Sequence, residues 1–331
     1  MEWLYPIALR VIAAIALIYF GLGLFNIHWL LRLRILASLS IGALIVGALG
    51  WPLVRPEDPL GAVSLFSMQM TPVQCLILVG LGLTAGAAAA FVCYPLGGNL
   101  APYAAPAGIA VLALNSGAMR QILLTNSTLQ QRNAMYAFMR WELLFWLGIC
   151  AAGYLGMLLA LKMLAVKFRN PFSFNTTINW RNWFLAVAAG AVITYLTIGI
   201  FAQDINQFDE VLGSVAGQPG HRQAAFGVFV AVGLAAFIAR YFLGTDYIPV
   251  ILGASLLYIG AFTRIIDSQD LQHLVKTWPI DFYTHTIYAI LPIQYAPFSV
   301  LGAMTGYWIS IQFKHNSSIS HTSDKSTLPT D

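Results

Sequence analysis

Carboxylate, imidazole and guanidinium groups gather in a few stretches of this 331-residue chain, and those stretches are where chemistry would have to occur. The densest is 264–286, reading RIIDSQDLQHLVKTWPIDFYTHT. If 264–276 is helical, Asp267, Asp270 and His273 recur every three residues and drift slowly around one face. Asp281 and His285 are four apart, which also suits one helical face. Carboxylate and imidazole together can bind a transition metal or carry protons near neutral pH, so His273, Asp281 and His285 are the weak candidates for metal ligands. The plain alternative is a solvated amphipathic helix on the membrane surface, with Ile265, Ile266, Leu271, Leu274 and Val275 turned to lipid or protein.

Arg140 and Glu142 flank Trp141 at the start of an apolar run. An ionised carboxylate at or below the headgroups needs a partner or water. Arg120, Arg132 and Arg264 are possible partners, and an ion pair anchoring the helix is the simple reading. The sharper one is a mouth that handles protons or an anionic ligand. Pro292, Gln294 and Pro297 mark a third place of interest: proline removes a backbone donor and kinks a helix, and transporters use such broken helices near their sites.

The elements that must position these residues are apolar. The chain is 59% hydrophobic and 9% charged, with a mean hydropathy of +0.73. Soluble domains carry about 25% charged residues, so lipid is the solvent that this surface requires. Apolar runs fall at about 5–27, 35–54, 73–94, 141–161, 183–202, 223–243, 247–263 and 287–311. Each is near the roughly 20 residues that cross about 30 Å of hydrocarbon. A further segment, 100–119, follows Pro95 and Gly97-Gly98 and contains Pro102 and Pro106; it either spans or re-enters. The expected fold is therefore an all-α polytopic bundle with eight or nine spans. It forms one transmembrane domain over 1–313, followed by a polar, disordered tail over 314–331.

Basic residues orient the bundle. The 162–182 stretch holds Lys162, Lys167, Arg169 and Arg181 without an acid, which places it in the cytoplasm. The later spans then put Arg240, Lys314, Lys325 and the C-terminus inside, and Arg222, Arg264 and Lys276 outside. In that arrangement 120–140, 203–222 and 264–286 face outward. With Glu142 they contain seven of the thirteen acidic residues, including Asp204, Asp209 and Glu210. A bacterial inner membrane fits the short loops. The first run lacks a cleavage site and reads as a retained span.

Absences narrow the function. The chain lacks a Walker loop, a dinucleotide fingerprint, HExxH, CxxCH and GxSxG, which weighs against an enzyme and predicts no cofactor. Cys75, Cys93 and Cys150 lie in apolar runs and read as packing residues. The net charge of +4 reflects loop cations, and no basic stripe points to nucleic acid. The deep interior of the expected spans lacks Asp, Glu, Lys and Arg, which argues against strong proton coupling. Gly82-x3-Gly86 and Gly302-x3-Gly306 permit close helix approach.

Three functions fit. The first is a permease-like protein for a small, unidentified solute, with a charged outer mouth at Arg140, Glu142, Asp267, Asp270, His273, Asp281 and His285. The second is a non-catalytic membrane subunit or assembly factor with other membrane subunits as partners. The third is an outer-leaflet membrane-embedded enzyme or metal-binding protein. The lipid bilayer is a partner in all three.

Overall fold

The computed structural model describes residues 28–58, 61–68, 70–164, 179–201, 205–209, 213–217, 220–277, 283 and 285–325, with the backbone alone for 205–217 and 315–325. The expected first span (5–27), most of the basic 162–182 stretch, Asp204, Glu210, Asp281 and the last six residues of the tail lie outside the described residues.

The described chain is a set of helices. In order they are α1 (Trp29–Val54), α2 (Leu65–Met68), α3 (Pro72–Val92), α4 (Gly97–Asn115), α5 (Met119–Thr125), α6 (Leu129–Met163) and α7 (Trp180–Phe201). After these come α8 (His221–Leu243), α9 (Ile248–Ile265), α10 (Gln269–Thr277) and α11 (Pro292–Lys325). Seven of them, α1, α3, α4, α6, α7, α8 and α9, are long and apolar enough to cross a membrane. These seven fit a membrane protein. The expected run at 287–311 is helical from Pro292, but α11 is less apolar than the other seven and is not counted with them.

Local chemistry sets several boundaries. Thr71 opens α3 with a capping box to Gln74, and Pro72 sits at the first helical position, where its missing N–H costs nothing. Thr128 and Gln131 bond reciprocally ahead of α6. That cap starts the helix at Leu129, well before the apolar run expected at 141, because the intervening polar turns lower hydropathy without weakening helix formation. At about 1.5 Å per residue, the 35 residues of α6 reach about 52 Å, more than a crossing needs.

One further expectation changes, and the proline-rich stretch takes a definite form. The 203–222 loop contains an antiparallel hairpin, Ile205–Asp209 paired with Gly213–Gly217. The 97–115 stretch is helical despite its prolines: a 3₁₀ turn at Ala101–Tyr103 takes up Pro102, and Pro106 falls in the first turn of the α segment that begins at Ala104.

The chain divides into two compact units. One contains 1–53, 71–112 and 148–171; the other contains 54–70, 113–147 and 172–331. In the first, α3 meets the C-terminal half of α6 through glycine: a methyl group at Gly86 would collide with the Gly153 carbonyl. In the second, α8 and α11 approach in the same way, and a methyl at Gly306 would collide with the Gly233 carbonyl. Both GxxxG pairs therefore serve packing within the chain.

Candidate functional site

The N-terminal half of α6 turns Arg132, Met135, Tyr136, Met139, Glu142, Leu143 and Trp146 inward at helical spacing, and all are buried. Glu142 is 2% exposed. Its Oε2 accepts from the Ser64 hydroxyl at 2.6 Å, and its Oε1 accepts from Leu65 N–H and Trp146 Nε1–H, each at 3.0 Å. All three donors are neutral. The expected ion pair is thus not present among the described residues, and Arg120, Arg132, Arg140 and Arg264 are not hydrogen-bond partners of this carboxyl. Arg140, two residues from Glu142, is rotated about 200° around the helix and cannot reach the same side. It donates instead to Thr263 Oγ1 at 3.4 Å and lies over the Trp141 ring, 5.4 Å from its centroid, while its Nε is buried without a hydrogen-bond partner.

Besides Glu142, α6 buries a cation ahead of the apolar run expected from 141. Arg132 is 1% exposed and donates through Nε to the Asn126 carbonyl. Its neighbour Tyr136 begins an aromatic cluster: Tyr136 packs edge-on to Phe262, which stacks on Tyr258, and Tyr258 lies 4.5 Å from Tyr295 between centroids. The Tyr258 hydroxyl donates to the Ile290 carbonyl and the Tyr295 hydroxyl to that of Ala254, which fixes the start of α11 against α9. Tyr258 lies within electrostatic reach of Glu142.

The 264–286 stretch behaves differently. Helix α9 stops at Ile265, Asp267 adopts a left-handed backbone (φ 55°), and Ser268 caps α10 through Leu271 N–H at 3.1 Å. One continuous helix over 264–276 is therefore ruled out, and Asp267 does not share a face with Asp270 and His273. Asp267 belongs to a clasp with α6: Asn133 Nδ2 donates to its Oδ1 at 2.6 Å, and its N–H donates to Asn133 Oδ1 at 3.1 Å. Asp270 and His273 lie exposed on α10, while Leu271 and Leu274 are buried beneath, as the amphipathic reading expected.

His285 is extended and precedes a 3₁₀ turn (Thr286–Ala289), so it is not on an α-helical face. Its Nδ1 accepts from Ile287 N–H at 3.2 Å, and its ring stacks on Tyr195 at 4.8 Å. Burial lowers the affinity of this imidazole for a proton below its ordinary value. Among the described residues, no group of three or more His, Cys, Asp or Glu side chains is placed to hold a metal ion. The metal reading of His273, Asp281 and His285 gains no support there.

Pro292 does not break a helix; it begins one, after the non-helical pair Ile290-Leu291. Gln294 Oε1 accepts from Leu291 N–H at 3.2 Å, and its buried Nε2 has no hydrogen-bond partner among the described residues. Gln294 lies in the first turn of α11, and of the two prolines only Pro297 falls in the helix interior, where it withholds one backbone donor.

Trp146 was detectable in sequence, four residues from Glu142 on one helical face. Ser64 was not, since it is 78 positions away. No family model matches the chain, and no curated protein or solved structure matches it.

Proposed function

We propose that the chain is a permease-like membrane protein for a small solute, with its polar centre at Glu142 rather than on the outer loops. The supporting observation is the buried Glu142 carboxyl, met by three neutral donors and, among the described residues, by no cation. Removing a carboxylate from water costs several kcal/mol unless a charge compensates it, and ionisable groups within membrane helices mark solute or ion pathways. Arg132 and Gln294, whose buried Nε2 has no hydrogen-bond partner among the described residues, add polar groups to helices of the same unit. The setting that accompanies this reading is a bacterial inner membrane with the C-terminus on the cytoplasmic side.

The test is uptake into cells that produce the protein, using a panel of radiolabelled amines, amino acids, sugars and carboxylates. At least one solute should accumulate faster with the wild-type chain than with an equally abundant E142A variant. If no solute does so, and the chain purifies at fixed stoichiometry with other membrane proteins, the complex-subunit reading replaces this one.

A further inference from the structure

We infer that Glu142 is a binding site for a monovalent cation, a proton or a sodium ion, and that occupancy loosens the 61–68 segment. The role of that ion in transport rests on the permease reading; the site itself does not.

The argument begins with which hydrogen bonds can reverse. Leu65 N–H and Trp146 Nε1–H can only donate, so Oε1 is fixed as an acceptor. Oε2 faces a hydroxyl, which can donate or accept. A proton therefore adds at Oε2. The new O–H points at Ser64 Oγ, the Ser64 hydrogen rotates away, and Ser64 becomes an acceptor from both Glu142 and Phe66 N–H, which already donates to it at 3.2 Å. Carboxylate becomes carboxylic acid, and no other group is consumed. A sodium ion would instead use an Oε2 lone pair, with Ser64 Oγ as a second oxygen.

Either ion cancels the charge that holds the segment. Hydrogen bonds to an ionised acceptor are about twice as strong as those between neutral groups. Ser64 and Leu65 are tied to α6 by such bonds. Among the described residues the rest of the segment is tied by bonds to neutral acceptors, including Val63 N–H to Ser116 Oγ at 2.8 Å, Gly117 N–H to the Gly61 carbonyl at 3.0 Å and Gly61 N–H to the Asp58 carbonyl at 2.8 Å. The groups around the carboxyl leave it as the titrating partner. Residues 61–68 contain no titratable side chain, Arg140 points to another side of α6, and the Tyr258 hydroxyl on α9 is engaged by Ile290.

The test is difference infrared spectroscopy on the full chain in phosphatidylcholine vesicles, with protons and sodium chloride as the only probes. A buried carboxylic C=O band should appear on acidification, or the carboxylate bands should shift when sodium chloride is added at fixed alkaline pH. The first outcome assigns the proton and the second the sodium ion. Either change should vanish in E142Q. Ser64→Ala, which removes one donor to the carboxylate, should change the affinity for the responding ion several-fold, and this variant decides the matter if E142Q does not fold. Wild-type spectra that respond to neither ion overturn the proposal, as does a response that E142Q retains or that Ser64→Ala leaves unmoved. Because no solute is needed, failure here leaves the permease reading standing, and a silent uptake panel leaves the ion site standing.

Discussion

Glu142 and the stretch Asp267–His273 carry the same chemical groups under opposite conditions. Glu142 is sealed in the helix packing and satisfied by three donors from two segments. Asp267, Asp270 and His273 are exposed, and among the described residues only Asp267 of these hydrogen-bonds a side chain of another helix. The contrast teaches that composition marks where acids collect, whereas burial decides which of them the protein must manage. A solvated carboxylate is cheap to keep and cheap to lose. A buried one is neither.

The sharpest way to break this contrast is Glu142→Ala. It leaves the Ser64 hydroxyl, Leu65 N–H and Trp146 Nε1–H without their acceptor beside a buried position. Unsatisfied buried donors cost about 1–3 kcal/mol each, and partial relaxation brings the expected loss to about 3 kcal/mol. Thermal unfolding in detergent should show it as a large drop in Tm. E142Q keeps an amide oxygen for the two N–H donors and should lose less. If E142A melts with the wild type, Glu142 is not the centre described.

The clasp at Asp267 falls between the two extremes. Asn133 holds a residue in left-handed backbone that non-glycine residues seldom adopt. Asn133→Ala should cost about 1 kcal/mol, because both bonds are lost at an exposed position. Adding Asp267→Gly should recover part of that loss, since glycine accepts φ of 55° without strain. A double variant no more stable than N133A would mean that the backbone is held by something else.

These cases show why the sequence revealed the helices better than the site. Apolar runs read directly as spans because lipid enforces them over some twenty consecutive residues. The first turns of α6 escaped that reading: Arg132, Asn133 and Arg140 depress hydropathy, yet the Thr128–Gln131 cap starts the helix there. Extending α6 backwards moves Glu142 from the mouth of a helix to its interior. Trp146 follows from four-residue spacing, whereas Ser64 is brought in by tertiary structure, which no local pattern encodes. The 264–276 face failed because a single left-handed residue and a serine cap divide the helix.

His285 sharpens the contrast through pH. Burial disfavours its imidazolium, so the folded protein binds the proton more weakly than the unfolded chain, whose histidine titrates at about 6.5. Stability is therefore full above about pH 6.5 and declines as pH falls from there toward the lower folded value. Protonation also fills the Nδ1 lone pair that accepts from Ile287 N–H. Relative to wild type, His285→Phe should keep the Tyr195 stack and show a smaller fall in Tm on acidification. Equal falls in both proteins would assign the acid sensitivity to another group.

The smallest effect belongs to Asp270 and His273, and its smallness is the informative part. Both project from α10 into solvent while Leu271 and Leu274 hold the helix down. Substitutions at such positions generally change stability by less than about 0.5 kcal/mol. Asp270→Asn with His273→Gln preserves size and polarity and removes the charges that a metal or a proton-handling mouth on this loop would use. Unfolding should be unchanged, and uptake of any solute found in the panel should match wild type, whereas E142A abolishes it. If uptake fell as far in the α10 double variant, the exposed loop would be part of the pathway. The division between a buried working carboxyl and solvated bystanders would then be wrong in its functional half, although correct in its energetics.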